Sequence, residues 1–566
     1  MFSSKLLPFV AYRMGIVASL KSIGDGGKAI GLMITASHNP AEDNGIKMID
    51  PLGEMPSKAW EEHASAVVNA SDDDLSSVVA KIFQVVPAAD NDGGGRRAAV
   101  RVAYDTRESS QYLAEAASTG VGDWFPTGDC RVLGLLTTPQ LHFLVRLENT
   151  GGATVEGAKL GEDCYLSRFS DAFSAFCKAL PACRHYDGKL LLDCANGVGA
   201  PKMEALTQRL KPWLDVHLCN TNTQNSSELN RDCGADFVKI QQTYPSGMAE
   251  CEGRCASFDG DADRVVYFYK SMRNGGCFRL LDGDKIAVLF ARFLVDKLEY
   301  RASSDPASTN SILSEEISIG IVQTAYANGA SGAYIDNMLS GVERVLVPTG
   351  VKNLHHAAKK YDVGLYFEAN GHGTVLYSDK LRRLLHAAKD DSRAQLVAHF
   401  VELTNEAVGD AITDLLLVEA VLRSRDWDAA DWDDLYSELP CLQLKVKVAD
   451  RLAFKTTWDE TRCLHPEGLQ ATIDGAVARF PGSRAFVRPS GTEDIVRVYA
   501  EADKTENARR LAEEIEGAVL KASARRVYLE LALIGWMAAL QQRRAVHPTT
   551  GKSVNAQLLR FSPRVV

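Results

Sequence analysis

The chain is 566 residues long, carries a net charge of −10 and is 46% hydrophobic. At roughly 100–200 residues per domain, this length predicts about three to five domains, and the ordinary apolar fraction excludes wholesale disorder. A chain this acidic lacks the electrostatic footprint of a nucleic-acid-binding protein. No apolar run reaches the roughly 18 residues that a membrane span needs, so we expect neither a nucleic acid nor a membrane as a partner.

The cysteines and the N-terminal segment both bear on location. The twelve cysteines are irregularly spaced and include no C-x-x-C pair, which argues against a zinc ribbon or a disulfide framework. We therefore expect buried, reduced thiols and predict a cytoplasmic location. Leu6 to Tyr12 is an apolar run that Arg13 interrupts, so we predict an amphipathic helix of the first domain here instead of a signal peptide.

Short apolar runs alternate with helix-like stretches through the first half of the chain. The predicted strands are Ile30 to Thr35, Val100 to Tyr104, Leu190 to Leu192 and Ile317 to Val322. The clearest predicted helix is Asp284 to Leu298, with Asp282 as a candidate N-cap. This alternation predicts α/β domains with sites at strand ends. The stretch Leu442 to Ala502 is richer in strands, and a helix is predicted after it at Thr505 to Lys521.

The first loop whose residues could take part in catalysis or binding is TASHNP at residues 35–40. Ser37 stands directly after a predicted strand, beside His38, and the Lys47 cation follows nearby in sequence. A nucleophile elbow is excluded because G-x-S-x-G is absent. Two interpretations stay open: an ordinary hydrogen-bonding turn serine, or a hydroxyl that carries a transferable group.

The second loop places three carboxylates at alternate positions, Asp259, Asp261 and Asp263. They would repel one another unless a cation lay among them, and oxygen-only ligands select a hard ion such as Mg²⁺. An EF-hand is excluded because its sixth position is Arg264 and its twelfth is Lys270, where glycine and glutamate are needed. The alternative is a solvated acidic turn.

The third loop, EANGHGT at residues 368–374, combines a carboxylate, an amide, an imidazole and a hydroxyl. Such mixed donors and acceptors suit the hydroxyls of a sugar, and two glycines permit close approach of the backbone. Taken alone, this pattern is equally typical of a polar turn.

The fourth loop, RPSGTED at residues 488–494, joins two predicted strands, and Arg497 lies in the second of them. A guanidinium binds phosphate through paired hydrogen bonds, and the backbone N–H groups of a glycine turn add donors. The loop therefore predicts a phosphate site. The alternative is a surface turn with a salt bridge to Glu493 or Asp494.

In this order, the four loops resemble the signatures of the α-D-phosphohexomutase superfamily: TASHNP, DGDADR, EANGHGT and RPSGTED. The form of the third loop is similar to the N-acetylglucosamine-phosphate mutase branch. Further stretches resemble that branch: AEDNGIKMIDPLGEMP, GLLTTPQLH, DCANGVGA, CGADFVK, VQTAYANG and TGVKNLHH. The resemblance covers residues 9 to 522.

The resemblance implies an α/β protein with four domains around one cleft. Three have mixed sheets, and the C-terminal one is an α+β domain similar to the TATA-binding protein. The predicted boundaries are 1–158, 159–272, 273–436 and 437–522, followed by an atypical extension at 523–566. Each domain is expected to supply one of the four loops.

The resemblance also implies an activity, a cofactor and site residues. The reaction would interconvert N-acetylglucosamine 6-phosphate and N-acetylglucosamine 1-phosphate, on the route to UDP-N-acetylglucosamine, in a monomeric enzyme. Phosphorylated Ser37 would hold Mg²⁺ together with Asp259, Asp261 and Asp263. His372 and Lys47 are the acid–base candidates, and His38 and Arg264 would orient the phosphoryl group. The substrate would be held by Glu368, Ala369, Asn370, Arg488, Pro489, Ser490, Gly491, Thr492 and Arg497.

Two other functions stay open, a phosphoglucomutase or phosphomannomutase and a catalytically weak homologue that binds sugar phosphates. The second is motivated by a glycine-rich segment ending in Gly-Phe-Arg that precedes the first loop in the family. We find no equivalent in this chain, so we expect the first domain to lack an edge strand. We assign no function to residues 523–566.

Overall fold

The structure is a computed structural model that describes residues 2–85, 97–151, 161–248, 253–298, 313, 316–491 and 493–524. The chain divides into two units, Met1–Leu439 and Pro440–Val566. Most of the predicted extension at 523–566 lies outside the described residues, and so do Ser303 to Asn310. None of the described helices has the length and hydropathy needed to cross a membrane.

The described part of the first unit contains helices of five to seventeen residues. They are α1 (Pro8–Gly24), α2 (Lys58–Asn69), α3 (Asp72–Val85), α4 (Ser110–Trp124), α5 (Thr138–Thr150), α6 (Glu162–Lys178), α7 (Gly199–Leu210), α8 (Ala235–Gln241), α9 (Gly283–Leu298), α10 (Gly329–Met338), α11 (Val351–Ala358), α12 (Asp379–Ala387), α13 (Ser392–Leu403), α14 (Ala411–Arg425) and α15 (Ala429–Asp433).

The strands of this unit are short, as in other α/β proteins. They are β1 (Phe2–Ser3), β2 (Ala29–Ile34), β3 (Asp43–Asn44), β4 (Ile46–Ile49), β5 (Ala99–Tyr104), β6 (Asp129–Leu135), β7 (Lys189–Asp193), β8 (Asp215–Cys219), β9 (Cys255–Phe258), β10 (Val265–Ser271), β11 (Cys277–Leu281), β12 (Ile319–Gln323), β13 (Glu343–Leu346), β14 (Val363–Phe367) and β15 (Gly373–Tyr377).

Three mixed sheets organise the first unit, which confirms the predicted fold class. Their strand orders are β4-β2-β5-β6, β11-β10-β9-β7-β8 and β13-β12-β14-β15. In each, parallel pairs lie beside an antiparallel one: β2 with β4, β9 with β10, and β14 with β15. The first three predicted loops follow β2, β9 and β14, so each begins at the carboxyl end of a strand, as expected for sites in α/β sheets.

Helix α1 confirms the predicted helix near the N-terminus, but the amphipathic character was wrong. Most of its residues are buried, including the polar Ser19 and Ser22. The reason is that α1 packs against α2, α4 and strand β2. Its contact with α4 is unusually close, because a Cβ on Gly15 would lie 2.1 Å from the carbonyl oxygen of Ala117.

Helix α9 confirms the clearest helix prediction, and Asp282 caps it. Asp282 Oδ1 accepts hydrogen bonds from the backbone N–H groups of Asp284 and Lys285 at 3.0 and 3.4 Å, which satisfies donors that a helix start leaves without partners. The apolar side chains that recur at helical spacing along α9, Ile286, Leu289, Phe290, Phe293 and Leu294, are fully buried.

The second unit is an α+β fold around an antiparallel sheet of order β16-β20-β19. Its elements are β16 (Cys441–Lys447), β17 (Lys455–Thr456), β18 (Cys463–His465), α16 (Leu469–Val477), β19 (Arg484–Pro489), β20 (Ile495–Glu501) and a helix at 505–524. This helix confirms the one predicted at Thr505 to Lys521, and it buries Leu511, Ile515 and Val519. The likeness to the TATA-binding protein stays a prediction.

Candidate active site

Ser37 stands where the chain leaves strand β2. Its backbone is left-handed, with φ at 51°, a conformation that non-glycine residues rarely adopt. The residue is 2% exposed, and its Oγ donates a hydrogen bond to Asp259 Oδ2 at 2.7 Å. The structure thus brings the first and second predicted loops together, although they are far apart in sequence.

A buried arginine holds the Ser37 loop in this conformation. Arg107 Nε donates to Asp105 Oδ2 at 3.0 Å, and Asp105 Oδ2 also accepts from Thr35 Oγ1 at 2.7 Å. The guanidinium donates to four backbone carbonyls of the loop, those of Ser37, Asn39, Pro40 and Asp43. Five planar N–H donors suit one side chain to this task, so Arg107 fixes the course of the loop.

The carboxylates of Asp259, Asp261 and Asp263 form a buried cluster. One oxygen of each lies within 4.8 Å of the others. Lys47 Nζ, from strand β4, donates to Asp261 Oδ2 at 2.8 Å and to Asp263 Oδ2 at 3.0 Å. Thr138 Oγ1, at the start of α5, donates to Asp261 Oδ2 at 2.6 Å. Side chains from strand β4 and helix α5 therefore meet at this loop.

The charges of the cluster are unequally compensated. Burial raises the pKa of Asp259 well above its ordinary value, and Asp263 and Asp261 raise it further. Burial also disfavours the charged forms of Asp261 and Asp263, but Lys47 outweighs it and lowers the pKa of both. In return, the two carboxylates raise the pKa of Lys47 above its usual range, despite the opposing effect of burial. Asp259 is thus the carboxylate with the least positive charge beside it.

The cluster fits a magnesium ion. Asp261 Oδ1 and Asp263 Oδ1 are buried, and neither has a hydrogen-bond partner among the described residues. Buried carboxylate oxygens without donors are costly, and a hard cation would satisfy them. All the ligand atoms are oxygens, which is the donor set that Mg²⁺ prefers.

The third predicted loop, residues 368–374 (the sugar loop), packs directly against the second, residues 259–264 (the aspartate loop). His372 Nδ1 lies 2.7 Å from the carbonyl oxygen of Asp263. Since a carbonyl can only accept, Nδ1 carries the proton and Nε2 is the basic nitrogen of the neutral ring. Asn370 Nδ2 donates to Glu368 Oε2 at 3.3 Å, and Ala369 between them is half-buried.

Gly371 makes this packing possible. Its φ is +89°, and a Cβ there would lie 2.0 Å from the carbonyl oxygen of Val265. Val265 N donates to the Gly371 carbonyl at 3.2 Å. The first strand residue after the aspartate loop is therefore joined to the sugar loop through backbone alone, at a position that only glycine fits.

His38 and Arg264 share one acidic partner on α8. Arg264 Nη1 donates to Asp236 Oδ1 at 2.9 Å, and His38 Nε2 lies 3.6 Å from Asp236 Oδ2. Burial lowers the pKa of His38, and the Arg264 charge lowers it further. Arg264 Nε also lies 3.8 Å from Asp259 Oδ2, the oxygen that accepts the hydrogen bond of Ser37. Arg264 therefore lies beside the contact between Ser37 and the aspartate loop.

Two glycines let the loops approach through their backbones. A Cβ on Gly260 would lie 2.6 Å from the carbonyl oxygen of Ser37, and a Cβ on Gly197 would lie 2.4 Å from the carbonyl oxygen of Gly260. Asn230 Nδ2 donates to the same Ser37 carbonyl at 2.9 Å. The separation between the serine and the aspartates is therefore set by main-chain contacts.

The remaining predicted residues lie in the second unit. Arg488 and Arg497 are directly paired across β19 and β20, and Lys445 is paired with Arg497 across β16 and β20. Paired residues of neighbouring strands point to the same face, so three cations form a row. Pro489 ends β19, and Ser490 and Gly491 follow in the turn, where Ser490 N donates to the Ile495 carbonyl at 2.8 Å. Thr492 lies outside the described residues.

The carboxylate that pairs with Arg488 differs from the alternative considered from sequence. Glu460 Oε1 accepts from Arg488 Nε at 2.9 Å, whereas Asp494 lies 3.7 Å from Arg451. The reason is tertiary: the turn between β17 and β18 reaches β19 from a distant part of the sequence.

Family models match four successive parts of the chain. Residues 19–75 match "Phosphoglucomutase/phosphomannomutase, alpha/beta/alpha domain I", and residues 444–518 match the C-terminal domain of the same group. Residues 157–266 and 282–427 match "Phosphoacetylglucosamine mutase AMG1", domains II and III. Over 526 residues, the chain is 44% identical to phosphoacetylglucosamine mutase of Sus scrofa and 43% identical to that of Homo sapiens, with 91% of each chain covered.

The chain belongs to the phosphoacetylglucosamine mutase family. A solved N-acetylphosphoglucosamine mutase, from Aspergillus fumigatus in complex with GlcNAc-6P and magnesium, superimposes with a TM-score of 0.83 at 40% identity, covering 92% of this chain and 94% of that one. An N-acetylglucosamine-phosphate mutase in a product complex gives the same TM-score at 38% identity, with the same coverage. These likenesses confirm the resemblance stated from the four loops.

Several residues of this site were not predicted from the sequence. Thr138 and Asp236 lie in GLLTTPQLH and CGADFVK, two stretches that resemble the family, so the sequence could have marked them as site candidates. Asp105 and Arg107 stand at the end of a predicted strand, a second signal. Asn230 had none, because an isolated asparagine in a polar segment is typical of a turn.

Proposed function

We propose that this chain interconverts N-acetylglucosamine 6-phosphate and N-acetylglucosamine 1-phosphate through a phosphorylated Ser37 and a bisphosphorylated sugar. One observation carries the proposal: Ser37 Oγ lies 2.7 Å from Asp259 Oδ2, at a buried cluster of oxygen ligands. An ordinary turn serine hydrogen-bonds to nearby backbone groups, whereas this hydroxyl bonds to a carboxylate 222 positions away in sequence. The names of the relatives and the complex with GlcNAc-6P support the same reaction.

The first half-reaction transfers the phosphoryl group of Ser37 to the sugar. The free hydroxyl of the monophosphate attacks phosphorus, a new O–P bond forms, and the bond between Ser37 Oγ and phosphorus breaks. The proton of the attacking hydroxyl goes to a base. The bisphosphate then reorients and returns its other phosphate to Ser37, so that one serine is the phosphoryl donor in the first half-reaction and the acceptor in the second.

His372 is the base that the geometry favours. Its Nδ1 hydrogen is held by the Asp263 carbonyl at 2.7 Å, which leaves Nε2 to accept the proton. Lys47 is held as a cation by Asp261 and Asp263 and suits the stabilisation of negative charge. His38 and Arg264, both beside Asp236, suit orientation of the phosphoryl group.

Asp259, Asp261 and Asp263, together with phosphorylated Ser37, would hold Mg²⁺. When bound, this ion would offset the negative charge on the transferring phosphoryl group. Glu368, Ala369 and Asn370 would hold sugar hydroxyls. The substrate's own phosphate would bind Arg488, Pro489, Ser490, Gly491, Thr492 and Arg497.

We further propose the four domain boundaries given above, a monomeric state, a cytoplasmic location and a role in UDP-N-acetylglucosamine supply. The cysteines of the described residues are free thiols, which supports a reducing compartment. The acidic composition supports a small-molecule substrate in preference to nucleic acid.

The proposal is tested with a coupled assay on N-acetylglucosamine 6-phosphate and mass spectrometry of the purified protein. We expect Mg²⁺-dependent turnover and phosphate on Ser37, with both lost in Ser37→Ala. Asp261→Asn should lose turnover while keeping the thermal midpoint within a few degrees. Turnover that persisted in Ser37→Ala would contradict the phosphoserine route.

Two comparisons separate the other functions. Faster turnover of glucose or mannose phosphates than of N-acetylglucosamine phosphate would favour a phosphoglucomutase or phosphomannomutase. Tight binding of sugar phosphates without turnover of any of them, in protein carrying phosphate on Ser37, would favour the catalytically weak homologue.

A further inference from the structure

Glu460 is an acidic residue that contacts the row of cations formed by Arg488, Arg497 and Lys445 in the second unit. Its Oε1 accepts from Arg488 Nε at 2.9 Å. The two side chains are 14% and 19% exposed, so solvent screens this pair less than it screens most surface pairs. Glu460 is not among the residues of the proposed phosphate site and lies 28 positions before Arg488 in sequence.

Glu460 makes this contact from a strained backbone conformation. Its φ is 62°, in the left-handed region that glutamate rarely adopts. Strained residues of this kind persist where the surrounding structure fixes them, and they concentrate at functional positions. Nothing in the length of the turn requires glutamate here, and glycine or asparagine would adopt the conformation at lower cost.

The turn that carries Glu460 is fixed by its own hydrogen bonds. Thr457 N donates to the Arg462 carbonyl at 2.8 Å, and Glu460 N donates to the Thr457 carbonyl at 3.0 Å. Asp459 Oδ1 accepts from Thr461 N at 3.2 Å and from Thr461 Oγ1 at 2.9 Å. The turn therefore presents the Glu460 carboxylate as a fixed group toward strand β19.

The contact matters because of the charges around Arg488. Arg497 is paired directly with Arg488, and Lys445 is paired with Arg497; like charges placed opposite one another repel. Arg497 Nε is buried and has no hydrogen-bond partner among the described residues. Glu460 therefore supplies Arg488 Nε with an acceptor that holds the guanidinium in place against this repulsion.

We propose that Glu460 is a positioning residue, which holds the Arg488 guanidinium in the orientation that binds the phosphate of a sugar monophosphate. The inference rests on the proposed function for the identity of the ligand. A guanidinium has five N–H donors in a fixed plane, so a carboxylate held at Nε determines where the other donors point. Glu460 itself does not touch the substrate.

The test compares Glu460→Gln, Glu460→Asp and Glu460→Gly in the full chain, with Asp474→Asn as the matched control. Asp474 pairs with Arg462 of the same turn at 2.8 Å, so its loss breaks an ion pair of the turn without touching Arg488. We expect Glu460→Gln and Glu460→Gly to raise the KM for N-acetylglucosamine 6-phosphate about five- to twentyfold, with kcat within about twofold. Glu460→Asp should be intermediate, and Asp474→Asn should match the wild type.

The glycine variant separates positioning from folding. Because glycine relieves the left-handed strain, its thermal midpoint should equal or exceed that of the wild type while its KM rises. Unchanged KM in both Glu460→Gln and Glu460→Gly would overturn the proposal, as would a lower KM, which would mean that Glu460 competes with phosphate. Calorimetry with N-acetylglucosamine 6-phosphate and with inorganic phosphate gives the same comparison without turnover. If the wild type binds these ligands but does not isomerise the sugar, the proposed function fails while the dissociation constants still decide the role of Glu460.

Discussion

Lys47 of strand β4 and Asp261 of the aspartate loop form an ion pair, with Nζ 2.8 Å from Oδ2. Lys47 Nζ also lies 3.0 Å from Asp263 Oδ2, so the ammonium group bonds to two carboxylates that a divalent cation would also use. The lysine therefore neutralises part of the cluster in the protein without metal. A cation that binds there has to compete with it.

Lys47→Met should raise the affinity for Mg²⁺ by about tenfold, which corresponds to about 1.4 kcal/mol, while lowering turnover. Without the ammonium group the carboxylates repel one another, so the metal-free variant should melt at a lower temperature and gain more from added Mg²⁺. Calorimetric titration with MgCl₂ at fixed ionic strength measures the first effect, and thermal denaturation measures the second. Lys58→Met, at an exposed position, is the control. An affinity equal to or weaker than that of the wild type would refute the competition.

Arg107→Met should lower the free energy of unfolding by about 3–5 kcal/mol, the usual cost of leaving a buried partner charge uncompensated. The Asp105 carboxylate would lose its partner, and the Ser37 loop would lose four carbonyl contacts. Denaturant unfolding measures the change. Adding Asp105→Asn should recover part of the loss, since the uncompensated charge is then gone. Arg131→Met, at a largely exposed arginine, should have little effect, and additive losses in the double variant would argue against the pair.

Gly371→Ala should destabilise the protein by at least about 2 kcal/mol and lower kcat/KM at least about tenfold. The added Cβ meets the Val265 carbonyl at 2.0 Å and imposes strain at φ +89°, which displaces the sugar loop from the aspartate loop. Gly122→Ala is the matched control, because a Cβ there meets nothing within 4 Å and alanine favours the helix by about 0.5–1 kcal/mol. Equal effects of the two substitutions would show that the loop contact is unimportant.

His142 should make the protein sensitive to acid. Burial lowers the pKa of its imidazole to about 4, whereas the unfolded chain takes up a proton near the ordinary value of about 6.5. The folded state is therefore fully stable above that value and loses stability progressively as the pH falls toward 4, on the order of 3 kcal/mol in all.

His142→Asn tests this sensitivity because an asparagine N–H can replace the Nδ1 that lies 2.7 Å from the Gly53 carbonyl. Between pH 7.5 and 4.5 the wild type should lose about 2–3 kcal/mol more than the variant, as measured by urea unfolding at each pH. Parallel losses would assign the acid sensitivity to other groups.

The sequence predicts the parts of this protein that depend on local pattern. Asp282 caps α9 because residue type and position suffice for a cap, and the aspartates of residues 259–263 cluster because alternate acids in a turn have few other arrangements. Ser37 follows β2 because the apolar run before it forms that strand. These features involve neighbours in sequence, so periodicity and turn chemistry determine them.

The parts that could not be predicted depend on contacts between distant residues. Whether α1 is buried on one side or all around is decided by α4, through Gly15 and Gly120, and no pattern within residues 6–12 contains that information. The partner of Arg488 is Glu460 because a separate turn reaches β19, whereas sequence proximity favours Glu493 or Asp494. Asn230 reaches the Ser37 carbonyl for the same reason.

The main-chain contacts of Gly260 with Ser37 and Gly197 have a consequence for enzyme engineering. A distance that is fixed by side chains changes when those side chains are substituted. Here the distance between the Ser37 loop and the aspartate loop is fixed by contacts between backbone atoms. Libraries that vary residues 368–370 to accept new hexoses can therefore leave residues 197 and 260 untouched, and the separation between Ser37 and the aspartates should stay constant from clone to clone.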